Sequence, residues 1–343
     1  MRRLLNSLYI FTENAYLTLN GKNVVVLREK EELGRIPLHT LESIVCFSYS
    51  GASPFLMGAC AENGIAITFY SPRGKYLAGV HGKQRGNVLL RKEQYRISDD
   101  INRSLPIAKN FIIGKLFNAK WVLERLLRDH EMQIAKDSVK KASNYLSRGI
   151  AEIRECDSAD RLRGIEGEAA TVYFSVFNEL ILRNKDFFAF NGRTRRPPKD
   201  AINAMLSLFY TVLAKDCAMA LEGVGLDPYV GFLHVDRPGR ASLSLDLMEE
   251  LRAIFVDRFV VSAINNRVVN SSSFIALETG ETLLKDDARK ALFSLWQEKK
   301  KEVITHPFLE EKIPRGLVPH VQALLLSRFL RGDLDGYPPF LWK

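Results

Sequence analysis

The sequence predicts an α+β protein: a small N-terminal β-rich domain followed by a larger all-α domain. Three observations carry this. Residues 8–80 fall into short alternating or β-branched apolar runs bounded by turn formers. Residues 81–86, His-Gly-Lys-Gln-Arg-Gly, combine two glycines with two cations and read as a linker. From Val88 onward the apolar residues recur at helical spacing. The boundaries expected are 1–82 for the β-rich domain and 83–343 for the helical one, with 83–87 as a hinge. A chain of 343 residues, at roughly 150 per domain, divides naturally in two.

Each element follows from a local pattern. Leu8-Tyr9-Ile10-Phe11 is a strand. Ala15, Leu17 and Leu19 alternate with Tyr16, Thr18 and Asn20, which gives a half-buried strand. Asn20-Gly21 tolerates positive φ and reverses the chain, and Val24 to Leu27 returns. Further strands are expected over 36–38, 43–47, 66–70 and 76–80, with a short helix over 54–63 stopped by Gly64. Helices are expected over 107–128, 136–153, 161–184, 201–222, 245–264, 283–301 and 320–329.

Composition bounds the function. The chain is 46% hydrophobic and 26% charged, which excludes disorder and leaves material for a core. No uninterrupted apolar run approaches the roughly 18 residues a membrane span needs, so no membrane is expected. Met1-Arg2-Arg3-Leu4-Leu5 is basic then apolar, but Asn6, Ser7 and Glu13 interrupt it. No export signal is read there, and a cytoplasmic location is expected. Cys46, Cys60, Cys156 and Cys217 form no CxxC pair and stand at no zinc spacing, so free thiols are expected. Lys and Arg number 49 against 40 Asp and Glu, a net charge of +9 that suits a polyanion such as nucleic acid.

Three segments carry candidate chemistry. In Gly164-Ile165-Glu166-Gly167-Glu168-Ala169-Ala170-Thr171-Val172-Tyr173-Phe174, residues Glu166, Ala169, Ala170 and Tyr173 share one helical face. Small residues there admit a second helix, so Glu166 needs a partner, either a structural cation or a metal. Glu168 lies on the far side and faces solvent. In Asp227-Pro228-Tyr229-Val230-Gly231-Phe232-Leu233-His234, the histidine ends an apolar stretch before Arg237 and Arg240. Alone, a histidine in this setting is more often a satisfied structural residue than a ligand. On the helix opening at Ser242, Asp246 and Glu249 share a face, although acids in a first turn also complement the helix dipole. Together Glu166, His234 and Glu249, with Asp246 beside them, form an oxygen and imidazole set that suits Mg²⁺ or Mn²⁺. The loop 191–200 packs four cations into ten residues and its prolines keep it non-helical, so it either grips phosphate or is simply solvated. The apolar tail 337–343 either packs on the helical domain or docks a partner.

These segments, in this order and after a β-rich domain, resemble the CRISPR-associated integrase-nuclease of the spacer-acquisition module, and most closely its type I-C branch. Pro198-Lys199-Asp200-Ala201-Ile202-Asn203-Ala204 is similar to a fourth family segment, with Ala201 where the family usually has proline. The resemblance implies a metal-dependent DNA endonuclease and integrase. It would join the 3′-hydroxyl ends of short duplex DNA into a repeat array by transesterification. It implies Glu166, His234 and Glu249 as metal ligands and Asp246 as a supporting catalytic acid. It also implies a homodimer formed through the β-rich domain and a heterohexamer with a small ferredoxin-like second adaptation protein. The expected DNA contacts are Arg85, Arg91, Lys92 and Arg96 near the hinge, Arg193, Arg195 and Arg196 in the basic loop, and Arg237 and Arg240 beside the histidine. Tyr173 and Tyr229 are expected to pack rather than stack on bases. A general structure-specific nuclease and a non-catalytic DNA-binding scaffold are the rival readings.

Overall fold

The computed structural model describes residues 7–41, 43–71, 76–80 and 88–343. Arg85 and the expected hinge 83–87 lie outside them. The described residues form two compact units: one holds the chain up to Val80 with 289–302 and 314–317, the other holds 88–288, 303–313 and 318–343.

In the first unit, β1 (Ser7–Ile10) precedes the meander β2 (Tyr16–Asn20), β3 (Asn23–Arg28) and β4 (Glu31–Pro37). The β2–β3 turn is Gly21-Lys22, with Gly21 at φ +59°, while Asn20 still pairs with Asn23. A glycine at positive φ in the first loop position matches the twist of a tight hairpin. Then follow β5 (Ser43–Cys46), α1 (Pro54–Glu62), β6 (Ala66–Tyr70) and β7 (Tyr76–Val80). A second sheet has the order β1-β5-β6-β7, with β1-β5 and β5-β6 parallel and β6-β7 antiparallel. Its parallel pair β5-β6 is joined through α1, as a parallel connection requires. Leu17, Val24, Ile44, Cys46, Leu56, Cys60 and Ile67 fill the core.

The second unit opens with α2 (Val88–Asp99) and α3 (Ile101–His130), followed by α4 (Lys136–Glu155) and α5 (Ala159–Ser175). α3 starts earlier than expected because the Asp100 side chain caps Asn102 N–H at 2.9 Å and Pro106 is carried inside the helix. α5 ends at Ser175 rather than continuing to 184. Beyond it, Asn178 bonds both the N–H and the carbonyl of Phe190, which holds the chain in an irregular return. α6 (Ala201–Gly223) and α7 (Ser242–Glu249) follow, then a π-helical turn (Ala253–Asp257) and α8 (Arg258–Asn265). The helix expected over 245–264 is therefore three pieces. β8 (Phe274–Ala276) pairs with β9 (Thr282–Leu284), which takes up the start of the helix expected at 283. α9 (Asp286–Lys301), β10 (Val303–Thr305), β11 (Lys312–Pro314) and α10 (Val318–Leu330) complete the chain.

Residues 289–302, expected in the helical domain, belong to the β-rich unit. Phe293 explains this: its ring centroid lies 4.7 Å from that of Tyr9, 5.2 Å from Phe11 and 5.5 Å from Phe47. Around the helical unit, α3 packs on α4, α5 and α7, and α6 packs on α7 and α10. By length and composition α6 could cross a membrane, but Phe209, Leu213, Cys217 and Leu221 bury its apolar face in this core. The tail packs on the helical unit: Phe340 N–H donates to Glu250 Oε2 at 2.7 Å and Trp342 N–H to Asn118 Oδ1 at 3.0 Å.

Candidate active site

Five elements of the helical unit meet at one place: α2, α3, α5, the loop carrying His234, and α7. α5 is capped by Ser158, whose hydroxyl accepts from Arg161 N–H at 3.3 Å. It presents Glu166 on the face that buries Ala169 and Tyr173. Glu168, on the other side, is exposed and accepts from the Tyr145 hydroxyl at 2.7 Å. The loop carrying His234 is clamped from α2. Buried Gln94 donates to the carbonyls of Asp227 and Val230, both at 2.8 Å, and accepts from Asp227 N–H at 2.9 Å. Ser98 donates to Gly231 O at 2.7 Å. α7 supplies Asp246 and Glu249, both buried.

Asp246 is saturated. Its Oδ2 accepts from Phe232 N–H at 2.7 Å and Leu233 N–H at 2.9 Å. Its Oδ1 accepts from His234 N–H at 3.0 Å and from Nδ1 at 2.6 Å. The loop wraps this closely because position 231 is glycine: a Cβ there would stand 2.8 Å from Asp246 Oδ2 and 2.9 Å from Ser242 Cβ. A carboxylate facing Nδ1 places the imidazole hydrogen there, and the Nε2 lone pair is left for a ligand. Asp246 therefore orients His234 and has no lone pair to spare for a metal.

Glu249 meets two cations. Arg252 Nη1 contacts Oε1 at 2.8 Å and Oε2 at 3.0 Å, and Lys115 Nζ lies 2.8 Å from Oε2. The same Lys115 ammonium also bonds Glu166 Oε1. Burial pushes the Glu249 carboxyl up, but the charges of Arg252 and Lys115 outweigh it and hold it at about 2. Behind this pair the Arg252 guanidinium lies 4.4 Å from the Tyr210 ring centroid. The Tyr210 and Tyr173 hydroxyls both donate to Asp257, which the π-helical turn brings into the core. Burial raises the Asp257 carboxyl from its ordinary value.

The structure thus brings Glu166 and Glu249 onto one cation position and sets Asp246 behind His234. Among the described residues no three His, Cys, Asp or Glu side chains stand close enough to hold a metal ion. The Lys115 ammonium occupies the space between the two carboxylates. The donor chemistry nonetheless fits a hard divalent cation: two carboxylates facing one position, and an imidazole whose Nδ1 is fixed. Lys115, Arg252, Gln94 and Tyr210 were not expected from sequence. A lysine inside the apolar run Phe111-Ile112-Ile113-Gly114-Lys115-Leu116-Phe117 was the available signal for the first of them.

A family model described as "CRISPR associated protein Cas1" matches residues 8–298. The chain belongs to the Cas1 family. It is 46% identical over 343 residues to "CRISPR-associated endonuclease Cas1 1" of Chlorobaculum tepidum, with all of both chains covered. It is 49% identical over 350 residues to "CRISPR-associated endonuclease Cas1 2" of Rhodospirillum rubrum, again with full coverage of both. Its fold is similar to that of a casposase bound to integration product, with a TM-score of 0.83, 22% identity, and 98% of this chain and 93% of that one covered. A Cas1 protein from Thermotoga maritima has a TM-score of 0.80 at 20% identity, over 97% of this chain and 99% of that one.

The candidate DNA-contact residues of this Cas1 chain divide by environment. Arg195, Arg196 and Arg237 are exposed and form no ion pair among the described residues. Arg240 is half-buried in the turn after His234. Lys92 is exposed, and exposed Arg96 pairs with Glu93 at 3.5 Å. Arg91 is turned to the protein, with Nε donating to Gly225 O at 3.2 Å. Arg193 is also turned inward: it bonds Thr194 O at 2.7 Å, Asn203 Oδ1 at 2.6 Å and Ser207 Oγ at 3.1 Å, and lies 5.2 Å from the Tyr210 ring centroid. It builds the basic loop from within. Tyr173 packs as expected, whereas Tyr229 is 52% exposed because Pro228 and the Asp227 turn lift it off the core.

Proposed function

We propose that this chain is a divalent-metal-dependent DNA endonuclease and integrase of CRISPR adaptation. Its reaction joins the 3′-hydroxyl ends of short duplex DNA into a repeat array by transesterification. The observation that carries this reading is the convergence of Glu166 and Glu249 on one cation position, beside a histidine whose Nδ1 is fixed by Asp246. Glu166, His234 Nε2 and Glu249 would hold Mg²⁺ or Mn²⁺. Bound there, such an ion supplies Lewis-acid stabilisation to a phosphodiester undergoing in-line displacement. The protein's own groups do the rest. Asp246 fixes the imidazole, and Arg252 keeps Glu249 ionised and in place. Arg237 and Arg240, just beyond His234, steady neighbouring phosphates. The attacking 3′-oxygen forms one P–O bond as the target strand's 3′-oxygen leaves, so one diester replaces another and no nucleotide is spent. Water in place of the hydroxyl gives cleavage.

The names of the relatives support the nuclease activity, and a casposase bound to integration product supports the joining. A Cas6-RT-Cas1–Cas2 complex, with 36% of its matched chain covered by all of this one, supports a small second adaptation protein as partner, here read as ferredoxin-like within a heterohexamer. The double-stranded partners are the incoming fragment and the array. The reading extends to a homodimer through the β-rich unit, a cytoplasmic location and the type I-C branch.

The test is strand transfer of a labelled 3′-hydroxyl duplex into a supercoiled plasmid carrying a repeat array, with Mn²⁺ or Mg²⁺ and the second protein. Joined label that is lost with EDTA and in Glu166→Ala and His234→Ala is the expected result. Cleavage without joining points to a general nuclease, and joining that survives both substitutions overturns the site.

A further inference from the structure

Lys115 has no part in the mechanism above, yet it holds both acidic ligands. Its side chain is 14% exposed, with Nζ 2.8 Å from Glu249 Oε2 and bonded to Glu166 Oε1. On the metal-dependent reading of this site, we propose that Lys115 is a resident counter-cation that competes with the divalent metal for Glu166 and Glu249.

Four points lead there. First, two carboxylates this close repel one another unless a cation lies between them, and the ammonium supplies that charge. Second, the two cations on Glu249 are not equivalent. Arg252 contacts both oxygens and is stacked on Tyr210, so it is fixed. Lys115 ends a flexible four-carbon stem, and of the two only Lys115 also touches Glu166. Third, its backbone is locked. A Cβ at Gly114 would lie 2.7 Å from Glu250 Cβ, and Asn118 Nδ2 donates to the carbonyls of Glu250 and Phe340, both at 2.7 Å. These contacts hold α3 in place on either side of Lys115, which leaves its side chain as the part that yields. Fourth, two carboxylates and two cations already balance. A divalent ion added beside Lys115 crowds a third cationic centre against the two that Glu166 and Glu249 already face in a largely buried site, whereas displacing the ammonium relieves the crowding. Metal binding is therefore an exchange, and Lys115 sets the metal concentration at which the site loads.

The experiment measures Mn²⁺ binding to the full chain by the EPR signal of free Mn²⁺, with melting temperature in EDTA alongside. Lys115→Met is expected to bind Mn²⁺ at least about tenfold more tightly than the native chain, since one competing charge is gone. It should also melt lower in EDTA and regain more on adding Mn²⁺. Lys115→Arg, which keeps the charge and grips carboxylates through a rigid fork, is expected to bind Mn²⁺ more weakly than the native chain. Equal or weaker binding by Lys115→Met overturns the proposal and leaves the lysine as an ordinary ion-pair partner. If Lys115→Met does not fold, unchanged or tighter binding by Lys115→Arg overturns it just as well. A native chain that takes up no Mn²⁺, or takes it up equally after Glu166→Ala, removes the metal reading itself. Native uptake that depends on Glu166 while the lysine variants change nothing removes the competition alone.

Discussion

Asp246 Oδ1 receives two hydrogen bonds from one residue, the backbone N–H of His234 at 3.0 Å and its Nδ1 at 2.6 Å. One carboxylate oxygen therefore fixes both where the histidine's backbone lies and which ring nitrogen carries the hydrogen. Asp246→Asn presents an amide to four donors that need acceptors. Mn²⁺ affinity is expected to fall about 10–100-fold, the usual cost of losing an outer-shell partner. Titration of Mn²⁺ into the variant checks this, and unchanged affinity would mean that His234 needs no orienting partner.

The Arg252–Glu249 pair is buried on both sides, with side chains 13% and 6% exposed. Arg252→Met leaves Glu249 with Lys115 alone and frees the Tyr210 ring face. Breaking a buried pair from one side costs about 3–5 kcal/mol. Urea unfolding followed by circular dichroism should show a loss of that order, and Glu249→Gln in the same chain should recover part of it. A loss under about 1 kcal/mol would place the pair among weak surface-type bridges.

Much of this arrangement was legible because its signals are local. Small residues around Glu166 announced a helix contact, and Asp246 with Glu249 at i, i+3 announced a shared face. What was not legible depends on distant partners. Lys115 lies 51 positions from Glu166 and shows its role only when α3 and α5 are packed. Phe293 looks like one more helical core residue, and only the aromatic cluster of Tyr9, Phe11 and Phe47 reveals that its helix belongs to the β-rich unit. The β3–β4 turn, Glu29-Lys30, places two ordinary residues at φ +50° and +75° without glycine or asparagine to mark it. Arg193 resembled its exposed neighbours in composition, and its inward course is set by Asn203 nine residues beyond the loop's Thr194.

His306 is fully buried and its ring is satisfied as a neutral group. Nε2 donates to Gln322 Oε1 at 3.0 Å, while Nδ1 accepts from Phe308 N–H at 3.3 Å and Leu309 N–H at 3.2 Å. A second ring proton would point at two donors. Burial accordingly holds its pKa below the ordinary value of 6.5, against a smaller opposing pull from Gln322. A histidine depressed in the folded state contributes stability that is present above pH 6.5 and lost as pH falls through that value and below. Melting temperature should therefore decline between pH 7 and about pH 5. His306→Gln should flatten that part of the profile, and a variant that keeps the native slope would assign it to other groups.

Burial pushes the thiols of Cys46 and Cys60 up to about 11 in each case. At pH 8 about one in a thousand of each is thiolate, and both are enclosed by the core of the β-rich unit. In native protein neither should react with a disulfide reagent over minutes, and all four cysteines should react in denaturant. Fast native labelling mapped to either residue by peptide mass would show that this core opens readily.

Arg193, Arg195 and Arg196 sit within four residues of each other, yet they predict different defects. Arg195 and Arg196 are exposed on a loop held in shape by Asn203, which accepts from Thr194 N–H at 3.0 Å and donates to Gly192 O at 2.9 Å. Removing both changes charge and leaves the loop's frame intact. Arg195→Ala with Arg196→Ala should weaken duplex binding and lower the slope of log affinity against log salt by about 2, one for each phosphate no longer neutralised. The melting temperature should hold. Arg193→Ala removes three hydrogen bonds and the approach to the Tyr210 ring from the loop's interior, so it should lower the melting temperature while the salt slope changes little. Binding measured at several salt concentrations, with thermal melts of the same samples, separates the two. A double variant that keeps the native slope would move phosphate binding elsewhere, with exposed Arg237 and half-buried Arg240 beside His234 the next positions to substitute.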